Sequence, residues 1–515
     1  MKVLRNVLQN SLQQEQSAGI NAINSVSAEI QDPVSFVDIL RTRAIQTPDH
    51  LAYVFLQDGE TEGARLCYAE LDKKARAIAA TIQKVCQSGD RILLLYPAGL
   101  DYLCTFYACQ YANVISIPAY PPRNKRHLPR LQSIISDAKA QVVLTTTGIV
   151  SDLERLFSNA PELSSLQWIT TNDIDDALSE SWEDPVLTKD TVAFLQYTSG
   201  STSAPKGVEL THGNLVYNQY MLRHMRYWNE QSNRVDVEDN VTIVSWLPLF
   251  HDMGLGLVLQ GVYLGVPCVI MAPVSFIQQP ARWLKAISHY GAKTSGAPNF
   301  AYDLCVRKVT EEQCQGLDLS TWTMAFNGAE PVHHVTLKRF AEKFAPYGFR
   351  SQAAYPCYGL AEATVGVTGG VVSAEPVIRS FDGEALTRHQ VIAVDESDDN
   401  ALTSVGCGFI WEKQELIIVD PETCQPCDAD RVGEIWLQSD SVGKGYWQRE
   451  DATKEAFDAH LSDGRGPYLR SGDMGFMFDG QLFVTGRLKD MVIIRGRNHY
   501  PQDIERTVET AYNSN

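Results

Sequence analysis

No stretch of about 18 uncharged apolar residues occurs in the chain, so no membrane span and no stable membrane insertion is expected. The opening MKVLRNVLQNSLQQEQSAG lacks a long apolar core and a small-residue cleavage site, and does not read as a secretion signal. Positive charge is scarce as well: 44 Lys and Arg stand against 62 Asp and Glu, a formal net charge of -18. A body of that sign repels nucleic acid and anionic membrane surfaces, which removes both as general partners. The eleven cysteines are odd in number and scattered through apolar runs, as at Cys104, Cys109, Cys268 and Cys305. They read as buried thiols in a reducing compartment, so the expected location is cytoplasmic. Cys424 and Cys427 have CxxC spacing, but no second pair or His follows at metal-ligand distance, which favours a turn over a redox or zinc role.

What is present is long and ordinary in composition. At 515 residues the chain calls for two to four domains or one multi-lobed body, and 44% apolar with 21% charged residues is typical of a globular protein. Residues 1–32 are polar, Gln- and Ser-rich, and read as an extension. Beyond them FVDILRTRAIQ and YAELDKKARAIAATIQKV carry apolar residues at helical spacing. RILLLYP, ANVISIPAYPP and QVVLTTT are short β-rich runs separated by helical stretches, and VTIVSWLP, VPCVIMAP and TWTMAFNGAEPV continue the alternation. This pattern predicts an α/β body of parallel sheets flanked by helices, over residues 33–370. From about residue 371 to 487 the texture changes to short strands and turns, a smaller β-rich lobe. Within it, residues 371–405 show no strong period.

The segment with the clearest chemistry is YTSGSTSAPKG at residues 197–207, straight after the apolar run TVAFLQ. Such a loop can turn backbone N–H groups and hydroxyls toward phosphate oxygens, with Lys206 adding a positive charge. A Walker A loop is excluded, because the order here is Lys-Gly-Val rather than Gly-Lys-Ser/Thr. A plain Ser/Gly linker is the bland alternative, disfavoured by the buried strand that feeds the loop.

Five further segments follow in order: LPLFHDMGLG (247–256), FNGAEPV (326–332), YGLAEAT (358–364), LRSGDMG (469–475) and TGRLKD (485–490). With the loop, these make the chain similar to the acyl-adenylate-forming superfamily of acyl-CoA synthetases, luciferases and peptide-synthetase adenylation domains. The resemblance runs from about Phe36 to the last residue. It implies binding of ATP by Thr198, Ser199, Gly200, Ser201, Thr202 and Lys206 in the loop. It also implies contacts to the nucleotide from Asn327, Gly328, Ala329, Glu330, Tyr358, Gly359, Leu360, Asp473 and Arg487. Tyr358 would stack on adenine, Asp473 would accept from both ribose hydroxyls, and Glu362 would hold Mg2+. His251 would sit near the acyl carboxylate, and His251, Glu362 and Lys206 are the expected catalytic residues. Lys489 falls where the superfamily places the hinge before its small domain, which residues 488–515 would begin.

PAYPP, SGAPNFAYDLC, NGAEPV, VTGRLKD and IIRGRNHYPQDIE resemble fatty acyl-AMP ligases in particular, and residues 371–405 lie where those ligases carry an insertion. The implied function is adenylation of a fatty acid and transfer to the phosphopantetheine thiol of an acyl carrier protein, in lipid or polyketide biosynthesis. An acyl-CoA ligase and a non-catalytic nucleotide-binding module stay open. Gly296, Phe300 and Met324, with the run 322–326, are the expected acyl-pocket residues. PPRNKRHLPR (121–130) is a basic cluster, read either as a solvated face or as a docking site for an acidic carrier protein. The family's late lysine has no counterpart before Asn515, so the expectation is a chain that binds ATP but adenylates poorly, either an engineered truncation or a fragment of a larger synthase.

Overall fold

The computed structural model describes residues 30, 32–122, 125–157, 161–198, 205–229, 234–235, 241–411, 413–494 and 497–499. Two sheets with parallel centres make the α/β body. The first has six strands in the order Gln167–Thr170, Val142–Thr145, Arg91–Leu95, Ile115–Ala119, Val192–Tyr197 and Gly207–Thr211. All its neighbours run parallel except the last pair, where the strand before the phosphate loop turns back on the strand after it. Runs such as Leu93–Leu94–Leu95 are fully buried, as expected of a parallel sheet covered on both faces.

The second sheet has nine strands, from Phe409–Ile410 at one edge to Glu62–Cys67 at the other. Its parallel centre contains Met324–Asn327, Thr294–Ala297, Ile243–Ser245 and Cys268–Met271. Helix Leu100–Tyr111 is buried on nearly every side and carries Phe106 and Tyr107 into the main core beside Phe194 and Phe36. Helix Asp252–Leu264 is equally apolar and closes one wall of the site.

The β-rich lobe is an antiparallel sheet of Glu415–Val419, Gly433–Gln438, Leu469–Phe478 and Gln481–Arg487. The aperiodic stretch at 371–405 contains an antiparallel pair, Ile378–Asp382 with Ala401–Val405, and a short helix Gly383–Leu386 between them. Phe381 is fully buried and packs against Phe476, Phe478 and Phe483 with centroids 4.9–5.3 Å apart, which fastens this pair to the lobe. Strand Phe409–Ile410, which lies beyond residue 371 in sequence, returns to pair with Gly366–Gly369 at the edge of the nine-stranded sheet. None of the eleven cysteines forms a disulfide. Cys424 and Cys427 follow a turn in which Asp420 accepts from the N–H groups of Glu422 and Thr423. No helix among the described residues is long and apolar enough to cross a membrane.

Candidate active site

A cavity of about 600 Å³ opens where the carboxyl ends of the strands meet the β-rich lobe. Strands ending at Tyr197, Asn327 and Gly359 deliver Thr198, Gly328 and Leu360 to its wall, the expected place for a ligand in an α/β sheet. A second cavity of about 330 Å³ adjoins it and shares Tyr358, Asp473 and Arg487 with it.

One end of the main cavity is built by a ladder. Asp473 and Arg487 are direct cross-strand partners, and their side chains meet at 3.4 Å. The Tyr358 hydroxyl donates to the other Asp473 oxygen at 2.8 Å, while Ser471 Oγ accepts from the Asp473 N–H. Burial pushes the Asp473 carboxyl above its ordinary range, partly offset by the Arg487 guanidinium. Burial likewise raises the Tyr358 phenol, and the Asp473 charge adds to it. Both groups are fixed acceptor and donor, with the aromatic face beside a carboxylate suited to two vicinal hydroxyls.

Close backbone approach fixes this end further. A Cβ on Gly359 would lie 1.8 Å from the Val365 carbonyl oxygen, and one on Gly328 would lie 2.9 Å from that of Cys357. Thr364 holds φ of +72°, a strained value for a β-branched residue, and its hydroxyl donates to the Ser441 carbonyl at 2.6 Å. That strain sits two residues after Glu362.

At the middle of the cavity the phosphate-loop strands close. Thr198 N–H donates to the Lys206 carbonyl, and Arg130 Nη2 donates to the Thr198 carbonyl at 3.1 Å. Ser199, Gly200, Ser201 and Thr202 lie outside the described residues, as do Arg123 and the Arg126 side chain of the basic cluster. Glu362 Oε1 accepts from the Tyr446 hydroxyl at 2.7 Å, and Lys206 Nζ lies 4.6 Å from the centre of the Tyr446 ring. His251 precedes helix Asp252–Leu264, and its Nδ1 lies 2.6 Å from Asp252 Oδ1. That hydrogen bond raises the imidazole above its ordinary value despite burial. Lys489, in the turn Leu488–Asp490, also faces the cavity.

The other end is apolar and draws on helix His212–Tyr227, which carries no motif, as well as on the 247–256 and 326–332 segments. Leu222 and Met225 of helix His212–Tyr227 face Met253, Leu257, Met324 and Phe326. Gly256 stands among them because a Cβ there would meet Val365 Cγ2 at 2.6 Å. Of the three acyl-pocket residues expected from sequence, Met324 lines the cavity. Gly296 lies beneath Phe326, where a Cβ would come within 2.3 Å of the ring, and Phe300 is 41% exposed with its ring edge-on to Trp246. Neither lines the cavity, and Trp322 is wholly buried behind it.

Two nucleotide candidates also stand apart. Asn327 is fully buried and donates to Asn299, lining neither cavity. Ala329, with φ of +66°, lines both cavities, whereas Glu330 lines only the smaller one and accepts from the Phe300 N–H at 2.5 Å. A pair that sequence reading passed over supports the ladder. Glu434 is 2% exposed, bound by Arg470 Nε and Nη2 at 2.9 and 2.7 Å, and accepts from Trp436 Nε1 and Gly472 N–H. Its signal was a carboxylate inside the apolar strand GEIWLQ.

The donor set is also tested by what it lacks. Among the described residues no group of three or more His, Cys, Asp or Glu could hold a metal by itself. A single carboxylate is what Mg2+ uses when phosphate oxygens and water complete its shell, so Glu362 fits that ion.

The parallel-stranded body, the carboxylate-aromatic ladder and the adjoining apolar channel together define an adenylate-forming fold. Residues 40–447 match the AMP-binding enzyme family, and the chain belongs to it. It is 44% identical, over 93% of its length and 81% of the relative's, to a medium-chain-fatty-acid–[acyl-carrier-protein] ligase, JamA, of Moorena producens (strain JHB). It is 35% identical to the long-chain-fatty-acid–AMP ligase FadD32 of Mycolicibacterium smegmatis (strain ATCC 700084 / mc(2)155), covering 90% of this chain and 75% of that one. Among solved structures, the fatty acyl-adenylate ligase from L. pneumophila in complex with acyl adenylate and pyrophosphate superposes with a TM-score of 0.83 at 42% identity, over 92% of this chain and 81% of that one.

Proposed function

We propose that this chain activates a fatty acid with ATP to acyl-AMP and pyrophosphate, for delivery to the phosphopantetheine thiol of an acyl carrier protein. The observation that carries the reading is the main cavity itself. Its nucleotide end is a ribose-type acceptor beside an aromatic face, and its far end is an apolar channel. Lys206, Glu362 and His251 stand between them, where a carboxylate and an α-phosphate would meet.

Tyr358 and Asp473 bind and orient the nucleoside, with the Arg487 guanidinium partly offsetting the burial that raises the Asp473 carboxyl. Thr198 and Lys206 hold phosphate oxygens by hydrogen bond and charge. Glu362 would hold Mg2+, which when bound supplies neutralisation of phosphate charge. The fatty carboxylate attacks the α-phosphorus in line, the P–O bond to pyrophosphate breaks, and the mixed anhydride forms. Orientation within the channel and charge placement supply most of the rate. His251, its ring fixed by Asp252, stands where it can order the carboxylate.

Two observations support a carrier protein over coenzyme A as the acceptor. The 378–405 pair is anchored through Phe381 to the same sheet that ends at Arg487, two residues before the hinge candidate Lys489. JamA is named for transfer to an acyl carrier protein. The test is pyrophosphate release from ATP with a series of fatty acids, followed by addition of either a phosphopantetheinylated carrier protein or coenzyme A. The expected result is acyl-AMP formation, with thioester on the carrier protein and little on coenzyme A. Equal transfer to coenzyme A would instead make the chain an acyl-CoA ligase. Nucleotide binding without pyrophosphate release would leave only a binding module.

A further inference from the structure

The contact pattern around one tyrosine links the two groups on which phosphate chemistry depends. We infer that Tyr446 is a positioning residue that sets the distance between the phosphate-loop lysine and the metal-side carboxylate. Its hydroxyl donates to Glu362 Oε1 at 2.7 Å, and its ring face carries Lys206 Nζ at 4.6 Å. One rigid side chain therefore touches both groups, which come from segments more than 150 residues apart in sequence. The inference rests on the proposed roles of Lys206 and Glu362 in holding ATP.

The tyrosine is itself immobilised from three sides. Its N–H donates to Thr453 Oγ1 at 2.9 Å, and that hydroxyl donates back to the Tyr446 carbonyl at 3.3 Å. The ring packs edge-on against Phe457 at 5.1 Å and 87°. Its main chain bridges Val208, with Glu209 N–H bound to the Gly445 carbonyl and Trp447 N–H to that of Gly207. Gly445, at φ of +144°, admits this approach, because a Cβ would lie 2.3 Å from Thr453 Cγ2. The strand leaving the phosphate loop is thus sewn to the segment that carries Tyr446.

With Oε1 engaged, the Glu362 carboxylate cannot rotate freely, and its second oxygen is presented in one orientation. A cation over the ring face is held by the quadrupole without a covalent or hydrogen-bonded anchor, so Lys206 stays able to meet an arriving phosphate.

The two functions separate by substitution. Tyr446→Phe keeps the ring under Lys206 and deletes the hydroxyl, and Tyr446→Leu deletes both. Calorimetric titration of ATP with and without Mg2+ reads binding independently of turnover. For Tyr446→Phe we expect the Mg2+ concentration giving half-maximal ATP binding to rise about tenfold, the range of a hydrogen bond to a charged group, while metal-free ATP binding stays within twofold. Tyr446→Leu should in addition weaken metal-free ATP binding severalfold. Thr453→Val, which loosens the Tyr446 main chain and leaves the phenol, should shift the Mg2+ requirement in the same direction by a smaller factor. Glu362→Gln separates the inference from the reading beneath it. If Glu362→Gln keeps the full Mg2+ response, the metal role of Glu362 is wrong. If Glu362→Gln loses that response while both Tyr446→Phe and Thr453→Val bind like the parent, Glu362 needs no support from Tyr446 and the inference is overturned.

Discussion

The two ends of the cavity are built by different means, and the contrast explains how each is expected to respond to change. At the nucleotide end, Asp473, Arg487 and Tyr358 are held by a β-ladder, a hydrogen bond of 2.8 Å and an ion pair of 3.4 Å, with Glu434 and Arg470 as a buried brace. At the acyl end, Leu222, Met225, Leu257 and Met324 meet by packing alone, from two helices and a strand. Directional contacts fail all at once when a partner is removed. Packed walls deform by increments, so their effect falls on selectivity.

The sharpest way to break the comparison is Asp473→Ala. Loss of a buried acceptor for two hydroxyls should lower kcat/KM for ATP by about 100-fold or more, with the acyl chain-length profile unchanged. Calorimetric binding of AMP should fall in parallel, and a normal AMP affinity would remove the ribose role. Next comes Glu434→Ala, which leaves Arg470 without its carboxylate and Trp436 without its acceptor. Because the Arg470 side chain keeps 26% exposure, the cost is set below that of a fully buried pair, at about 2–3 kcal/mol. A drop in the denaturation midpoint, with AMP affinity falling only modestly, is the expected outcome.

A smaller effect is expected at the other end. Gly256→Ala pushes Val365 Cγ2, 2.6 Å from the new methyl, and narrows the channel by about one methylene. The preferred fatty acid should become shorter, with roughly tenfold loss for the longest substrates and an unchanged KM for ATP. Adding Val365→Ala should restore the longer acids. An unaltered profile in the single variant would mean that the chain does not pass Gly256.

The same contrast governs what sequence alone could give. Tyr358, Glu362, Asp473 and Arg487 sit in short ordered segments whose polar residues have no reason to recur in that order except a shared ligand. The alternation of apolar runs and helices likewise gave the parallel-sheet body, because a strand buried on both faces must be apolar throughout. The acyl wall was not legible, since an apolar side chain lining a channel is chemically identical to one in a core. Gly296 and Phe300 show the cost: the first is small to admit Phe326, and the second faces outward. The mid-helix glycines of DMGLGLVL were the available clue, because a helical glycine costs about 1 kcal/mol and needs a packing reason. The strand pair inside the 371–405 segment escaped for another cause, as its strands are five residues each and expose Ile378.

The least effect, and the finest test of the packed end, is its response to mild acid. His212 begins the helix that carries Leu222 and Met225; it is 1% exposed, and Nδ1 has no partner among the described residues. Burial pulls its folded value down to about 4, against an ordinary value of 6.5. The unfolded chain therefore takes up a proton first as pH falls through 6.5, and the folded state loses stability from there down to about 4. Between pH 7 and pH 6 the loss is under about 1 kcal/mol, because only the upper edge of that window is crossed. His212→Gln cannot titrate and should show a correspondingly smaller drop in denaturation midpoint over that interval. Fatty-acid KM should follow the same order if the helix is the yielding wall, while AMP affinity, held by the ladder, should differ little between the two proteins. Identical midpoint shifts in parent and variant would assign the acid response to other groups and leave the helix as rigid as the ladder.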